Sequence, residues 1–215
     1  MASDEDDDPT DAGTANSTSR LEAFSDGVFA IAITLLVLDL SVRPSESPLR
    51  GVLEAWPIFL AYVVSFLTIG AAWLGHTGLT DRLTRADPLF MRLNLLLLLF
   101  VAFLPFPTRL VAGALDDIDE ERVYATMYGL TLLGIRIFGF LLDEYALRER
   151  LYSKAHVSAE LEQERRTILP VVGGYVIAIL VGLVAPRVAV GVYCVIGIYL
   201  VVPFREVHRL LFRRS

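Results

Sequence analysis

The sequence is poor in the residues from which many functional sites are built. Among its 215 residues it has 1 Cys, Cys194, and 3 His. A single thiol excludes an internal disulfide framework and any zinc site made of cysteines. The chain also lacks a Thr-Val-Gly-Tyr-Gly-like filter loop, a phosphate-binding Walker loop and a His-Glu-x-x-His pair. We therefore expect no enzyme, no cofactor and no nucleic-acid partner.

Charged residues are scarce as well, and long stretches contain almost none. They make up 20% of the chain, against 54% hydrophobic residues and a mean hydropathy of +0.55. Charge-free runs of about 20 residues are typical of helices that cross a lipid bilayer, whereas the alternation that a membrane barrel needs is missing. The sequence therefore predicts an all-α membrane protein with six transmembrane helices. The predicted spans are residues 21–41, 54–78, 90–111, 121–145, 167–185 and 187–204.

The start of the chain departs from this pattern. Residues 1–19 contain six Asp and Glu residues among Thr, Ser, Gly and Asn. A segment of this composition cannot bury enough apolar surface to fold, so we predict a disordered acidic tail. A six-span domain is predicted to follow over residues 20–215. The tail has no basic region before an apolar one, so it does not have the pattern of a signal peptide.

The Arg and Lys residues predict how the chain lies in the membrane. With six spans, both termini and the second and fourth loops share one side. That side carries thirteen of the 19 basic residues, against five on the opposite side. Because basic residues concentrate on the cytoplasmic side of membrane proteins, both termini are predicted to be cytoplasmic.

The start of the first predicted span combines ionisable and apolar residues. Arg20, Ser25 and Asp26 stand at the beginning of a run, up to residue 38, that is otherwise almost entirely apolar. A charge in or beside the hydrocarbon of a membrane is costly in free energy, so such residues are by default candidates for function. This segment is the first candidate site of the chain.

Asp26 needs a hydrogen-bond partner, because an unpaired buried carboxylate is costly. Trp73 and His76 near the end of the second span, and Asn94 near the start of the third, are expected at the same depth in the membrane. A polar network among these residues would hold the first helix against its two neighbours. The sequence leaves open whether this network is only an anchor or also takes part in gating.

Apolar side chains form a stripe along the first helix. At 100° per residue, four of them fall within about 60° of one another. They are Phe24, Ile31, Leu35 and Leu38, with the hydroxyl of Thr34 at their edge. Several copies of this stripe around an axis would form stacked apolar rings, which gate ions by dewetting. The same spacing also fits ordinary helix packing, and it does not decide between the two interpretations.

Three further residues are interpreted from their spacing. Leu36, about 140° from Ile31 on the helical wheel, is expected to face lipid. Arg136 lies in the middle of the fourth span, where a charge needs a partner. We expect Arg136 to pair with Asp143, seven residues later on the same face of the helix.

The stretch from Arg20 to Asp39 resembles the first helix of the transmembrane protein 175 family of potassium channels. The resemblance is carried by the Arg-x-x-x-Phe-Ser-Asp spacing of Arg20 and Phe24-Ser25-Asp26, and by the apolar residues that follow. It extends over the chain from about residue 20. The chain is similar to the prokaryotic branch of the family, in which each subunit has one six-span unit. The shared features are six predicted spans, a short chain and termini predicted to be cytoplasmic.

This resemblance implies a potassium-selective leak channel without a carbonyl filter, with potassium as the permeating ion. It implies a homotetramer in the cell membrane of a prokaryote, with the first helix of each subunit lining a central pore. Ile31 is then the tightest constriction, Leu35 and Leu38 are further apolar layers, and Thr34 is a pore-lining hydroxyl. The resemblance also implies a polar network of Arg20, Phe24, Ser25, Asp26, Trp73, His76 and Asn94.

Two other functions fit the sequence. A proton- or ion-coupled secondary transporter would use Asp26 and His76 as its coupling residues, although the chain shows no second copy of the signature that would indicate an inverted repeat. A structural membrane subunit without transport activity is the third alternative. A flux that requires a second solute would favour the transporter.

Overall fold

The described part of the chain is almost entirely helical. A computed structural model describes residues 9–38, 40, 47, 49, 51, 53, 55–113, 118–152 and 160–201. Within these residues there are seven α-helices and no strand, apart from one isolated bridge pair, Leu83 and Tyr152. The helices are α1 (Pro9–Leu38), α2 (Trp56–Thr80), α3 (Pro88–Phe103), α4 (Pro105–Gly113), α5 (Ile118–Arg148), α6 (Glu160–Gly182) and α7 (Pro186–Val201). The prediction of an all-α chain is confirmed.

Six apolar helical segments correspond in order to the six predicted spans. Four have the length and composition of a membrane span, and two are shorter. The four are Thr18–Leu38, Ile58–Thr80, Pro88–Gly113 and Asp119–Arg148, and the two are Ile168–Gly182 and Pro186–Leu200. Residues 202–204, at the predicted end of the sixth span, lie outside the described residues.

The third span consists of two helices, α3 and α4, that meet at Leu104. The sequence predicts one uninterrupted run there. The break follows from Pro105 and Pro107, because proline lacks the amide hydrogen of a continuous helix and its ring clashes with the preceding turn. The Leu104 amide instead donates to the Val101 carbonyl at 3.2 Å, one residue closer than in an α-helix. α4 then packs against α2 and α5.

α1 begins at Pro9, inside the segment that is predicted to be disordered. Extending an existing helix adds one backbone hydrogen bond for each residue that is ordered, so it costs less than starting a helix. Proline is tolerated in the first turn, where its missing amide hydrogen has no helical partner. Residues 1–8 lie outside the described residues, and the division of the chain at residue 20 stays a prediction.

One end of the bundle brings together the segment between α2 and α3 and the end of α5. Asp87 caps α3, since its Oδ1 accepts from the Phe90 amide at 2.8 Å and its Oδ2 from the Tyr145 hydroxyl at 2.6 Å. The Thr84 amide donates to the Leu151 carbonyl at 2.8 Å. Burial opposes ionisation of Asp87, but its hydrogen bonds outweigh this and hold the pKa of the carboxyl below its usual value.

At the opposite end, an ion pair joins the starts of α5 and α7. Arg187 Nη2 lies 2.8 Å from Glu121 Oε1. The Glu121 side chain is buried, so this pair is partly shielded from solvent. α5 and α7 therefore start at the same end of the bundle and run in the same direction, with α6 returning between them.

Candidate functional site

α1 has one face buried against its neighbours, which include α2, α3 and α4. The buried residues are Leu21, Ser25, Phe29, Ala32 and Leu36. They recur every three or four residues, which is the spacing of one face of an α-helix. Ser25, the central residue of the predicted signature, is fully buried on this face.

Leu36 is 1% exposed, so the expectation that it faces lipid is wrong. The helical wheel correctly separates Leu36 from Ile31. It does not tell which of the two sides meets the other helices of the same subunit. In the structure the side of Leu36 meets them, and this leucine belongs to the core around Phe29 and Leu97.

The opposite face of α1 is exposed in the single chain and contains the predicted stripe. Ile31 is 61% exposed, Leu35 42% and Leu38 75%. Phe24 and Thr34 are exposed on the same side. The residues predicted to line a pore thus share one face that the other helices of this chain leave uncovered.

The Thr34 hydroxyl is oriented by its own helix. It donates towards the Ala30 carbonyl at 3.0 Å and the Ile31 carbonyl at 2.9 Å. Because a hydroxyl has one hydrogen and two acceptor lone pairs, its oxygen keeps lone pairs that are free to accept. The exposed stripe therefore presents an oxygen acceptor between its apolar side chains.

Asp26 is bound to one of its three predicted partners. Trp73 donates from its indole Nε1 to Asp26 Oδ1 at 2.9 Å, which joins α2 to α1. Arg20 and Phe24 are exposed in the subunit, and within the described residues neither makes a polar contact with this pair. The structure therefore brings Asp26 and Trp73 together, while Arg20 stays apart from them.

The other two predicted partners form a separate hydrogen-bond chain with Ser25, here called the His76 chain. His76 Nε2 lies 2.8 Å from Asn94 Oδ1, and Asn94 Nδ2 donates to Ser25 Oγ at 2.9 Å. Ser25 Oγ donates to the Leu21 carbonyl at 2.9 Å. His76, Asn94 and Ser25 are all buried. The chain links α2, α3 and α1.

The directions of these bonds determine where the His76 proton lies. Because the Asn94 amide nitrogen faces Ser25, its carbonyl oxygen is left to accept from His76. His76 Nε2 therefore carries a hydrogen, and in the neutral ring Nδ1 is then an acceptor without one. Nδ1 is buried and, among the residues that the structure describes, it has no hydrogen-bond partner. The Phe29 ring packs beside the imidazole, with 5.5 Å between the ring centroids.

A second buried chain of hydrogen bonds, here called the Tyr128 chain, is absent from the sequence-based predictions. The Tyr128 hydroxyl and Ser65 Oγ are 2.8 Å apart, and Ser65 Oγ is 2.8 Å from Thr108 Oγ1. Thr108 donates to the Leu104 carbonyl at 2.7 Å, so Ser65 must donate to Thr108 and Tyr128 to Ser65. The chain joins α5, α2 and α4. Isolated hydroxyls in apolar runs offer no signal that would have predicted it.

A cavity of about 50 Å³ lies beside the His76 chain. It is bounded in part by His76, Arg136 and Asp143. Within the described residues Arg136 forms no ion pair, so the expected pairing with Asp143 is wrong. The Asp143 Oδ1 atom accepts from the Tyr152 hydroxyl at 2.6 Å instead. Within the part of the chain that the structure describes, no group of His, Cys, Asp and Glu residues is placed to hold a metal ion.

Comparison with known proteins supplies a family for this arrangement. A family model described as "Endosomal/lysosomal potassium channel TMEM175" matches residues 20–105. A potassium channel of Chamaesiphon minutus is 35% identical over 195 residues, covering 88% of this chain and 96% of that protein. A potassium channel of Streptomyces collinus is 44% identical over 126 residues, covering 57% of this chain and 61% of that protein.

A solved structure agrees with these sequence matches. The crystal structure of a lysosomal potassium-selective channel TMEM175 homologue from Chamaesiphon minutus superimposes with a TM-score of 0.74 at 36% identity. The match covers 86% of this chain and 96% of that one. The similarity thus extends well beyond the signature segment, to the arrangement of the helices.

Proposed function

Because the chain belongs to the TMEM175 family, we propose that it is a potassium-selective leak channel, with four copies surrounding one pore. The single observation that carries this proposal is the exposed stripe on α1. Ile31, Leu35 and Leu38 all face away from the subunit that contains them. Four such stripes around an axis form stacked apolar rings, and a ring that is narrow and dry resists the passage of hydrated ions.

The geometry of Thr34 supports a cation as the permeating species. Its hydrogen is directed back to the carbonyls of Ala30 and Ile31. The oxygen lone pairs that remain can replace part of the hydration shell of a cation, as oxygen ligands do in other filters. A ring of four such oxygens suits potassium and offers no donor to an anion.

The polar residues beside the stripe favour a channel over a coupled transporter. Asp26 accepts from Trp73, and His76 is bonded to Asn94. Both candidate coupling residues are therefore engaged in bonds between helices, and they are not bonded to each other. This supports a role in holding α1 against α2 and α3, and leaves the exposed face of α1 to conduct.

We propose the cell membrane of a prokaryote as the location, with both termini in the cytoplasm. The excess of Arg and Lys on the side of the termini supports this orientation. In this orientation the His76 chain and the Asp87 cap lie towards the cytoplasm, and the Arg187–Glu121 pair lies on the outer side.

The test is potassium flux through purified protein in liposomes, compared with sodium and proton flux under matched gradients. Replacing Ile31 with Asn should wet the narrowest ring, raise the flux and weaken the preference for potassium. Ile177→Asn is the matched control, because Ile177 of α6 is 62% exposed and Ile31 is 61% exposed. The control should leave the flux per reconstituted protein and its selectivity unchanged.

Two results would overturn the proposal. A flux that requires a second solute would assign the chain to coupled transporters. An Ile31→Asn protein with the flux and selectivity of the parent would mean that the stripe serves helix packing, and that another part of the molecule lines the pore.

A further inference from the structure

We propose that the cavity beside the His76 chain binds ordered water that joins Arg136 of α5 to His76 of α2. The cavity, of about 50 Å³, has a partly polar wall that includes Thr68, His76, Arg136, Asp143 and Tyr175. One water molecule needs about 10–15 Å³ of such space, so roughly three to five fit. Its size and polarity are therefore those of a hydrated cavity.

Two atoms of residues that line this cavity are the first argument for water. His76 Nδ1 and Arg136 Nε are both buried, and neither has a hydrogen-bond partner among the residues that the structure describes. Buried polar atoms are nearly always hydrogen-bonded, to protein or to ordered water. Two such atoms in residues that line one partly polar cavity are the reason to place water there.

The hydrogen positions identify water as the occupant. Arg136 Nε carries a hydrogen and can only donate. His76 Nδ1 can only accept, because Nε2 holds the ring hydrogen for Asn94. A water molecule accepts from the first and donates to the second. An anion can accept from Arg136 but has no hydrogen for Nδ1, so it would require a second proton on the ring.

The charge of Arg136 is an independent reason for hydration. Arg136 lies within the membrane-spanning segment Asp119–Arg148, where an arginine without solvation is costly. Within the described residues it forms no ion pair, and the Oδ1 atom of Asp143 is engaged by Tyr152. Water in the cavity supplies the solvation that the protein does not.

The water extends the His76 chain to a fourth helix. Donation then runs from Arg136 through water to His76, on to Asn94 and Ser25, and ends at the Leu21 carbonyl of α1. Arg136 is thus a positioning residue for the helix that carries the exposed stripe. This assignment does not depend on the proposed transport activity.

Nitrogen NMR on the full-length protein in lipid tests the bonding of the ring. With His156 and His208 replaced by Gln, His76 gives the only side-chain histidine signals. We expect Nε2 to be protonated and Nδ1 to be unprotonated. The chemical shift of Nδ1 should be that of a nitrogen that accepts a hydrogen bond. Because no donor among the described residues reaches Nδ1, we assign that shift to water. A free Nδ1 or a doubly protonated ring would overturn the proposal.

Two variants test the link to Arg136. Arg136→Met should move the Nδ1 resonance towards the position of an unbonded nitrogen, while Arg136→Lys should keep it. Arg92→Met is the control, because Arg92 is exposed on α3 and does not line the cavity. If the Nδ1 chemical shift were unchanged in Arg136→Met, the group bonded to Nδ1 would not depend on Arg136, and the proposed link would be refuted.

Crystals grown in bromide distinguish water from an anion. Water gives density within hydrogen-bonding distance of both Arg136 Nε and His76 Nδ1, without an anomalous signal. An anomalous peak in the cavity would identify a bound anion, and an empty cavity would leave both atoms unbonded. Either of these two results would overturn the proposal.

Discussion

The two buried hydrogen-bond chains of the subunit are built in the same way. Each runs through three side chains, and each ends on a main-chain carbonyl four residues earlier in the chain. Ser25 donates to Leu21 in the His76 chain, and Thr108 donates to Leu104 in the Tyr128 chain. Ending on a carbonyl satisfies the last donor without a further side chain. The same arrangement, a chain of side-chain hydrogen bonds that ends on a carbonyl, thus joins helices at two places in the bundle.

The surroundings of the two chains differ. The His76 chain holds α1 and borders the cavity, and one ring nitrogen of His76 has no hydrogen-bond partner within the described part of the chain. The Tyr128 chain joins α2, α4 and α5, and the Tyr128 ring packs edge-on against Tyr193 with 5.7 Å between the centroids. The helix with the exposed stripe, α1, is therefore held by a hydrogen-bond chain in which one acceptor, His76 Nδ1, is left for water. The scaffold behind it is held by packed rings and fully bonded hydroxyls.

The largest expected effect comes from breaking the His76 chain at its centre. Asn94→Leu keeps the side-chain size but removes the acceptor for His76 Nε2 and the donor to Ser25. A buried donor without a partner costs about 1–3 kcal/mol, and we expect the free energy of unfolding to fall by that amount. Thermal unfolding of the purified protein measures it.

Leu95→Ala is the control for this substitution, because Leu95 lies beside Asn94 on α3 but is exposed in the subunit. It should change stability by about 0.5 kcal/mol or less. If Asn94→Leu were as stable as the parent, the imidazole would have to find another acceptor, and the His76 chain would not anchor α1.

A smaller effect is expected at the head of the Tyr128 chain. Tyr128→Phe removes one hydroxyl, while Ser65 still donates to Thr108 and Thr108 to the Leu104 carbonyl. Every remaining donor keeps its acceptor, so the loss should be that of one interhelical hydrogen bond, about 0.6 kcal/mol and at most ~1.7 kcal/mol. A loss equal to that of Asn94→Leu would show that the two chains respond alike.

The same contrast explains how much of the site the sequence could predict. Asp26, His76 and Asn94 are polar residues at matching depths of otherwise apolar spans, so their need for partners is visible in the sequence. Which pairs form is not visible, and the structure divides the expected network into the Asp26–Trp73 pair and the His76 chain. Ser65, Thr108 and Tyr128 give no such signal, because serine and threonine hydroxyls can bond to their own helix anywhere along it.

The number of spans could be predicted from the sequence, but not which face of each helix packs against its neighbours. Hydropathy identifies the apolar segments, and Pro105 divides the third of them for a reason that is local to the chain. The position of Leu36 depends instead on where α2 and α3 lie, which a helical wheel does not contain. The Oδ1 atom of Asp143 is engaged by Tyr152, a residue beyond the end of α5 whose approach depends on the tertiary fold.

The smallest expected effect is a loss of stability at low pH. It should affect the helix that carries part of the His76 chain more than the helices of the Tyr128 chain. Asp87 caps α3, the helix that carries Asn94, whereas the side chains of the Tyr128 chain are hydroxyls that stay neutral in acid. The hydrogen bonds from Phe90 and Tyr145 keep the folded-state pKa of Asp87 below its usual value, although burial acts against them. The unfolded chain therefore binds the proton more tightly. The stabilisation is complete above the unfolded pKa, about 3.9, and is lost as the pH falls through the lower folded-state value.

Comparison with Asp87→Asn isolates this contribution from the other carboxyl groups. Asparagine is also a good N-cap residue, but it does not titrate, so the stability advantage of the parent over the variant should shrink below about pH 4. Thermal unfolding of both proteins between pH 7 and pH 3 measures the difference. Hydrogen exchange should locate the acid-induced loss at the start of α3, while the amides around Ser65 and Thr108 stay protected. Parallel pH profiles for the two proteins would mean that the cap does not contribute through its charge, and that the two chains share the same sensitivity to acid.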